Sequence, residues 1–199
     1  PARLEERVLK TDWDKVFTDR PPRQEIAQRR KTDDYKTLFA PEYGVKDGGL
    51  ALPKGIDEKT AASMMLKGTT AHYLIHRSYK VKKGDAILVY AAAGGVGMIL
   101  CQWAKHLGAT VIGCVGSEEK AKLAKANGCD HPILYRTENV PKRVRELTGG
   151  VGVPVVYDSV GKASFNDSLD CLRHFGVLVS YGNSSGQVEP FNIATLGPK

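Results

Sequence analysis

Three small residues in one turn, Ala92, Gly94 and Gly97, are the residues of this sequence best suited to ligand chemistry. Their spacing matches a dinucleotide-binding turn, in which successive small residues permit a tight bend, backbone approach to a pyrophosphate and helix–strand contact. Alanine at the first position enlarges the turn slightly. Backbone amides at the start of the following helix would face the phosphates, where the helix dipole favours negative charge. The turn therefore predicts a dinucleotide site.

The end of the second strand distinguishes the two common dinucleotides, because an acid about 20 residues past the first turn position holds the ribose 2′-hydroxyl of NAD. The sequence there reads VGSEEK, and no acid occupies the strand end itself. Gly116 leaves space, Ser117 offers a hydroxyl and Lys120 adds a positive charge, which together suit a 2′-phosphate. Tyr135, at the end of the third strand, could cover the adenine or contact the phosphate. These residues favour NADP(H).

Each of these side chains also has a purely structural interpretation. Ser117 is a good N-cap, with Glu118 and Glu119 well placed in the first helical turn. Lys120 could be a solvated helix residue, and Tyr135 could pack on the sheet. The two glutamates could even hold a ribose 2′-hydroxyl, which would favour NAD(H).

The elements that must position these residues follow from alternating apolar strands and helices after the KKGD turn. The predicted strands are AILVYA, TVIGCV, HPILY, VPVVYD and VLVSYG, and the predicted helices between them cover 95–107, 118–127, 139–147 and 161–173. The strands are continuous apolar runs, which is typical of a parallel sheet covered by helices on both faces. The pattern predicts an α/β fold with a doubly wound parallel sheet, the Rossmann dinucleotide-binding fold.

Residues 1–50 differ from the rest because they are crowded with charge and show no sustained helical or strand period. We expect an N-terminal segment of irregular or incomplete fold there, followed by a nucleotide-binding domain over residues 51–199. Five strands are counted in that domain, so we expect it to stop before its last strand, since the six-strand arrangement needs one more.

Two helices are predicted ahead of the first strand of the sheet. Asp57 is the expected N-cap of the first helix, and Gly68 is expected to break or bend it. A second helix is then expected to carry Tyr73, Leu74 and Ile75.

Composition restricts the class of protein. The chain has 199 residues, of which 42% are hydrophobic and 26% charged, as in a soluble globular protein. No apolar run reaches the roughly 18 residues of a membrane span. The net charge of +7 arises from basic residues interleaved with acidic ones, which argues against a nucleic-acid partner. Four widely spaced cysteines without a CxxC pair fit a reducing cytoplasm.

His72 and His76 stand four residues apart, a spacing that suits metal ligands on a helix. An HExxH site would need a glutamate where Tyr73 stands, so a structural or surface pair is the preferred interpretation. No metal site, catalytic triad or pair of catalytic carboxylates is predicted.

Four stretches resemble the zinc-free quinone oxidoreductases of the medium-chain dehydrogenase/reductase superfamily, the zeta-crystallin-like enzymes. They are MMLKGTTAHYL, the segment from AAAGGVG to KANGCD, VVYDSVGKASFNDSLDCLRHFG and LVSYGNSSG, and they cover the chain from residue 41 to its end. The resemblance implies an enzyme that transfers hydride from NADPH to a quinone. It also implies a homodimer, although the dimer-forming edge of the family is not matched here. The GroES-like lobe of the family is not recognisable in residues 1–40.

The resemblance also implies which residues contact the cofactor. One residue would lie beside the nicotinamide half of the cofactor, and the residues of the glycine turn would lie along the pyrophosphate. The residues at the tip of the second strand would contact the 2′-phosphate. The tip of the fourth strand and the loop after the fifth would run toward the nicotinamide. In chain order the implied residues are Thr70, Gly94, Gly95, Val96, Gly97, Gly116, Ser117, Lys120, Tyr135, Ser159, Tyr181, Gly182, Asn183 and Ser184. No catalytic side chain is expected, because the cofactor supplies the hydride and the protein positions it.

Three other functions stay open. Reduction of an activated alkene such as an enone shares hydride delivery and differs in the substrate. A non-catalytic NADPH-binding or structural subunit would account for the unmatched substrate lobe. Nucleic-acid binding is the least favoured. Asp158-Ser159 and the GNSSG run also have an interpretation as simple turns.

Overall fold

The computed structural model describes residues 44–46, 49–51 and 57–197. The chain divides into two compact units, Pro1–Thr69 and Thr70–Lys199. The charged segment predicted over residues 1–50 lies outside the described residues, apart from two short strands. The predicted domain boundary at residue 51 stays a prediction.

The described part of the first unit is a hairpin and most of one helix. Strand β1 (Gly44–Lys46) pairs antiparallel with β2 (Gly49–Ala51). Helix α1 (Glu58–Tyr73) follows Asp57, whose carboxylate accepts a hydrogen bond from the amide of Thr60 at 2.8 Å. The predicted N-cap at Asp57 is therefore confirmed.

Helix α1 corrects the predicted break at Gly68. The helix continues through Gly68 to Tyr73, because a glycine inside a helix costs only roughly 0.5–1 kcal/mol relative to alanine. Leu74 and Ile75, which we assigned to a second α-helix, instead begin a π-helical segment at Leu74–Ser78. Both side chains are fully buried, so packing determines the conformation of this segment.

The second unit is built on a parallel sheet. Its strands are β3 (Ala86–Val89), β4 (Thr110–Val115), β5 (His131–Leu134), β6 (Val153–Asp158) and β7 (Leu172–Ser180). Between successive strands lie α2 (Gly95–His106), α3 (Glu118–Ala126), α4 (Val140–Leu147) and α5 (Phe165–Cys171), and a 3₁₀ turn follows β7 at Ile193–Leu196. The strand order is β5-β4-β3-β6-β7, and every pairing is parallel. The predicted doubly wound sheet is confirmed.

The strand order reverses at β3. From there the chain adds β4 and β5 on one side, then returns to add β6 and β7 on the other. In open sheets of this kind, a crevice forms beyond the carboxyl ends of the strands at the point of reversal. The glycine turn follows β3 directly, so the fold positions it at that crevice.

The sheet strands are buried as their apolar runs predicted. Every residue of β6 is buried. Leu88, Ile112, Ile133 and Val156 contribute one side chain from each of four neighbouring strands to a common core cluster. Because buried sheet residues of this kind must be covered on both faces, the flanking helices are required by the fold. Among the described residues, every helix is too short or too polar to cross a membrane.

The largest boundary difference follows β6. The helix predicted over 161–173 is shorter, and β7 starts at Leu172 rather than at Val177, with an irregular register against β6. Phe175 is left-handed, with φ of 57°, and fully exposed. The helix ends earlier than predicted because Leu172, directly after Cys171, already has an extended backbone, with φ of −69° and ψ of 146°.

Candidate cofactor-binding site

The turn between β3 and α2 is held together by backbone contacts. The amide of Gly94 donates to the carbonyl of Ala91 at 2.8 Å, and Ala91 is itself left-handed, with φ of 50°. A Cβ placed on Gly97 would overlap the Ala91 carbonyl oxygen and lie 2.9 Å from the Cα of Ala92. The helix therefore approaches the strand so closely that position 97 requires glycine.

The helix that follows this turn presents its first amides at the crevice. Gly94 is the N-cap of α2, and its carbonyl accepts from the amide of Met98 at 2.8 Å. The first amides of a helix have no partner within the helix. Those of Gly95, Val96 and Gly97 belong to this class and lie at the positive end of the helix dipole. Such a helix start is suited to bind an anion.

The tip of β4 combines a helix cap with an exposed cation. The hydroxyl of Ser117 accepts from the amide of Lys120 at 3.3 Å, so Ser117 caps α3. Ser117, Lys120, Glu118 and Glu119 are all exposed. The N-cap interpretation of Ser117 is thus confirmed, and it is compatible with ligand binding because the hydroxyl keeps its proton to donate.

Tyr135 lies beside the glycine at the tip of β4. Its side chain is 49% exposed, so it is not packed into the sheet. Its hydroxyl lies 2.9 Å from the position that a Cβ on Gly116 would take. The absence of a side chain at Gly116 therefore leaves room for the tyrosine hydroxyl next to the start of α3.

The tip of β6 is organised by the buried carboxylate of Asp158. Its Oδ1 accepts from the amides of Val160 at 2.7 Å and Gly161 at 3.1 Å. The hydroxyls of Ser164 and Ser168 each lie 2.7 Å from Oδ2. The turn interpretation of this segment is therefore correct, and the turn is fixed by a carboxylate with several donors.

The loop after β7 packs against the residue that follows Asp158. The amide of Ser184 donates to the carbonyl of Ser159 at 3.2 Å, and a Cβ on Gly182 would lie 2.9 Å from that oxygen. Burial raises the pKa of Tyr181 to about 12, against the opposing effect of a hydrogen bond with Ser159. Asn183 and Ser184 are exposed. The structure thus brings the predicted residues of these two loops together.

A cleft of about 490 Å³ opens at the carboxyl ends of the strands. Five of the predicted residues line it, and these are Gly94, Gly116, Lys120, Tyr135 and Ser184. Residues that follow four different strands therefore meet at one cavity, as expected for a ligand site of a doubly wound sheet.

Nine predicted residues are not among the described residues that line this cleft. Most of them adjoin it, either in the first turn of α2 or in the loops that follow β4, β6 and β7. Thr70 is half-buried on α1. The nine are Thr70, Gly95, Val96, Gly97, Ser117, Ser159, Tyr181, Gly182 and Asn183.

One wall of the cleft was missed by sequence reasoning. It includes Tyr90, Val140, Val160, Ala163 and Asp167, which lie at strand ends and helix starts. Its apolar residues suit the flat, largely apolar surface of a planar ring. Their position in the sequence could have indicated them, because each of these residues follows the carboxyl end of a strand.

The histidine pair belongs to an aromatic cluster. The ring centroids of His72 and His76 are 4.9 Å apart, and both rings pack against Trp103 at centroid distances of 5.7 and 5.2 Å. Within the described part of the chain, no group of three or more His, Cys, Asp or Glu residues is placed to hold a metal ion. The arrangement is consistent with the structural interpretation of the pair.

The chain is similar to curated reductases over much of its length. It is 46% identical over 185 residues to a 2-haloacrylate reductase of Burkholderia sp., which covers 92% of this chain and 52% of that protein. It is 53% identical over 148 residues to a quinone oxidoreductase of Pseudomonas aeruginosa, which covers 74% of this chain and 46% of that protein. The chain thus spans about half the length of the curated relatives it matches.

Two independent matches agree with this similarity. The Escherichia coli quinone oxidoreductase solved in complex with NADPH has a TM-score of 0.72 at 48% identity, covering 75% of this chain and 46% of that chain. Residues 95–199 match the family described as zinc-binding dehydrogenase. The chain therefore belongs to the zinc-binding dehydrogenase family of the medium-chain dehydrogenase/reductase superfamily, and it is similar to the quinone oxidoreductases among its members.

Proposed function

We propose that this chain binds NADP(H) in the cleft and supplies the cofactor half of an NADPH-dependent quinone oxidoreductase. The observation that carries the proposal is the tip of β4, where Gly116 leaves space beside exposed Ser117 and Lys120 and no acid ends the strand. The similarity to quinone oxidoreductases, one of them solved with NADPH, supports the same conclusion.

The glycine turn fits a pyrophosphate. A Cβ on Gly97 would overlap backbone, so glycine at this position lets the start of α2 lie directly against the turn. Amides of Gly95, Val96 and Gly97 would donate to the phosphate oxygens, assisted by the helix dipole. Gly94, whose amide already donates to the Ala91 carbonyl, lines the cleft and would leave room for the phosphates because it has no side chain.

The tip of β4 fits a ribose 2′-phosphate. Lys120 would place its ammonium against the phosphate, and Ser117 would donate its hydroxyl proton while still capping α3. The Tyr135 hydroxyl, beside Gly116, would contact the same phosphate or the adenosine. Glu118 and Glu119 are exposed, so their carboxylates would turn to solvent, away from the negative charge of the bound 2′-phosphate.

The loops after β6 and β7 would hold the nicotinamide half. Ser159 and Gly182 are in close contact, and the amide of Ser184 is already bonded to the Ser159 carbonyl. We assign Ser159, Tyr181, Gly182, Asn183 and Ser184 to this end of the cofactor. Thr70 is assigned to the same end.

The proposed mechanism asks little of the protein's side chains. NADPH supplies the hydride when bound, and a quinone is an electrophile that accepts it. The residues of this chain bind the phosphates, fix the orientation of the ring and limit the access of water. No side chain of the described residues is assigned a proton-transfer role.

Reduction of an activated alkene is the second candidate. Because 185 matched residues exceed the 149 residues from position 51 to position 199, the match to 2-haloacrylate reductase includes residues before position 51. The quinone oxidoreductase of Pseudomonas aeruginosa matches over 148 residues. The N-terminal part of this chain is therefore included in the similarity to an alkene reductase.

A fluorescence titration tests the cofactor assignment. We expect NADPH to bind about tenfold more tightly than NADH, which corresponds to about 1.4 kcal/mol from the contacts to the additional phosphate. Nicotinamide fluorescence is followed as each cofactor is added to the 199-residue chain. Equal affinity for the two cofactors would reject the 2′-phosphate site.

Turnover distinguishes the candidate reactions. NADPH oxidation is followed by absorbance with a simple quinone and, separately, with 2-chloroacrylate. Faster oxidation with the quinone supports the first candidate, and faster oxidation with 2-chloroacrylate supports the second. NADPH binding without oxidation in either assay supports a non-catalytic cofactor-binding subunit.

We also propose a cytoplasmic location and an assembly of two copies. The four cysteines are free thiols, which fits a reducing compartment. The homodimer follows from the family resemblance alone. Light scattering coupled to size-exclusion chromatography tests it, and a monomeric mass would contradict it.

A further inference from the structure

Ser185 joins two loops at the carboxyl ends of the strands, the β6–α5 turn (residues 159–164) and the β7 loop (residues 181–186). Its hydroxyl donates to the carbonyl of Val160 at 2.7 Å and accepts from the amide of Ala163 at 2.9 Å. Its own amide donates to the same Val160 carbonyl at 2.8 Å. One residue of the β7 loop therefore binds the β6–α5 turn through both its side chain and its backbone.

The two loops also meet through backbone at neighbouring positions. The amide of Ser184 donates to the carbonyl of Ser159 at 3.2 Å, and the amide of Lys162 donates to the carbonyl of Gly186 at 3.0 Å. A Cβ on Gly161 would lie only 2.7 Å from the carbonyl oxygen of Gly186. The β7 loop thus lies directly against the β6–α5 turn.

The β6–α5 turn is fixed to the sheet from its other side by Asp158. This buried carboxylate of β6 accepts from the amide of Val160 at 2.7 Å, while the carbonyl of Val160 accepts from Ser185. The β6–α5 turn is therefore anchored to the sheet by Asp158. Ser185 extends that anchor to the β7 loop.

The hydroxyl of Ser185 serves the loops and does not offer a proton to a ligand. Ser185 is exposed and lines the cleft, as do Val160 and Ala163, the two residues that its hydroxyl binds. A serine hydroxyl has one proton, and here that proton is donated to the Val160 carbonyl. Any effect of this side chain on a bound ligand must therefore act through the position of the two loops.

We propose that Ser185 is a positioning residue for the nicotinamide end of NADP(H), because it holds the β7 loop against the β6–α5 turn. This inference rests on the proposed function, in which Ser159 and the β7 loop hold the nicotinamide. Loops that are bonded to each other lose less conformational freedom when a ligand binds, so their connection contributes to affinity and to the orientation of the ring.

Two ligands test the proposal. NADPH carries the nicotinamide, whereas adenosine 2′,5′-bisphosphate carries the 2′-phosphate without it. Calorimetric titration gives the affinity of the 199-residue chain for each ligand. In Ser185→Ala we expect the affinity for NADPH to fall about fivefold, as for the loss of one neutral hydrogen bond, and the affinity for adenosine 2′,5′-bisphosphate to stay the same. A general loss of structure would weaken both.

Two further variants serve as controls. Ser185→Thr keeps the hydroxyl and should keep both affinities. Thr148→Ala removes a hydroxyl of the same kind, because Thr148 donates to the carbonyl of Val144 at 2.7 Å and accepts from the amide of Gly152 at 2.9 Å. Gly152 lies just before β6, at the opposite end of that strand from the cleft. Thr148→Ala should therefore leave both affinities unchanged.

Hydrogen exchange adds a measurement that needs no variant. The amides of Ser185 and Ala163 should exchange more slowly in the NADPH complex than in the complex with adenosine 2′,5′-bisphosphate, and equal rates would contradict the proposal.

Three results with the variants would overturn the proposal. These are an equal loss of affinity for both ligands in Ser185→Ala, no loss for either ligand, or a loss in Ser185→Thr as large as that in Ser185→Ala. Failure of the unaltered chain to bind either ligand is a distinct result, which would refute the NADP(H) site and this inference with it.

Discussion

Gly116 lines the cleft and Gly97 lies in the first turn of α2, yet a side chain at each would meet different surroundings. At Gly97 the obstacle is backbone, because a Cβ would overlap the Ala91 carbonyl oxygen and lie 2.9 Å from the Cα of Ala92. At Gly116 the nearest atom is the hydroxyl of Tyr135, on a side chain that is half exposed. Backbone can give way only if a strand or helix moves, whereas a tyrosine ring can rotate into solvent.

The comparison separates two kinds of binding surface. The glycine turn after β3 is part of the fold, so its shape is as rigid as the contact between α2 and the sheet. The tip of β4 consists of exposed side chains on the start of a helix, so its chemistry can change with little effect on stability. We therefore propose that affinity for any dinucleotide depends on the first surface, and that the choice between NADPH and NADH depends on the second.

The largest expected effect is that of Gly97→Ala. We expect the free energy of unfolding to fall by about 3 kcal/mol, since a side chain forced into a packed site shifts backbone. NADPH binding should be lost with it. Chemical denaturation and fluorescence titration measure the two effects. Gly149→Ala is the control, because no atom lies within 4 Å of its Cβ position and only its left-handed φ of 61° is penalised. Equal losses in both variants would contradict the overlap argument.

Asp158→Asn should have the second-largest effect on stability. The amide nitrogen would face donors that now bind a buried carboxylate, including the hydroxyls of Ser164 and Ser168. We expect a loss of about 2 kcal/mol in the free energy of unfolding. The matched control is Glu189→Gln, which removes an exposed ion pair with Lys162 and should have a much smaller effect. Similar losses in thermal or chemical unfolding would show that the buried network contributes little.

Lys120→Ala tests the second surface directly. NADPH affinity should fall about tenfold, because a charge-assisted contact is removed, while NADH affinity stays the same. Lys122→Ala, an exposed lysine on the same helix that is not among the cleft residues, should change neither. Loss of affinity for both cofactors in Lys120→Ala would mean that the side chain serves the fold or the pyrophosphate.

Gly116→Ala should have the smallest effect on stability. We expect the free energy of unfolding to change by less than about 1 kcal/mol, since Tyr135 can move away from the new methyl group. NADPH affinity should fall modestly because the tyrosine hydroxyl is displaced. In a Tyr135→Ala background the same substitution should have no effect on stability. A loss as large as that of Gly97→Ala would remove the distinction between the two glycines.

Several features could be predicted from the sequence because they depend on residues that are neighbours along the chain. The apolar runs of β3, β4 and β6 predicted a buried parallel sheet, and Ser117 was recognised as a helix cap from its position before Glu118 and Glu119. The small residues at positions 92, 94 and 97 predicted a turn with close backbone contact. Periodicity, helix capping and turn spacing each involve only a few consecutive residues. A single sequence is therefore enough to recognise them.

Other features depended on residues far apart in the sequence. Helix α1 continues through Gly68 although glycine disfavours a helix interior. Packing overrides this preference, because helix propensities differ by only about 1 kcal/mol. The wall of the cleft that includes Tyr90 and Val160 could not be recognised, since a strand's apolar run does not reveal which end residue faces a cavity.

What the sequence by itself determined was the order of elements, the parallel sheet and the glycine turn at its centre, because each follows from local period and backbone geometry. Only the tertiary structure decided that Tyr135 stands against Gly116, that Asp158 accepts from two serine hydroxyls, and that Gly128 lies against the carbonyl of Cys101. These contacts join separate loops, and their distances depend on how helices pack on the sheet. That packing is a property of the whole unit, whereas spacing along the chain is a property of each segment.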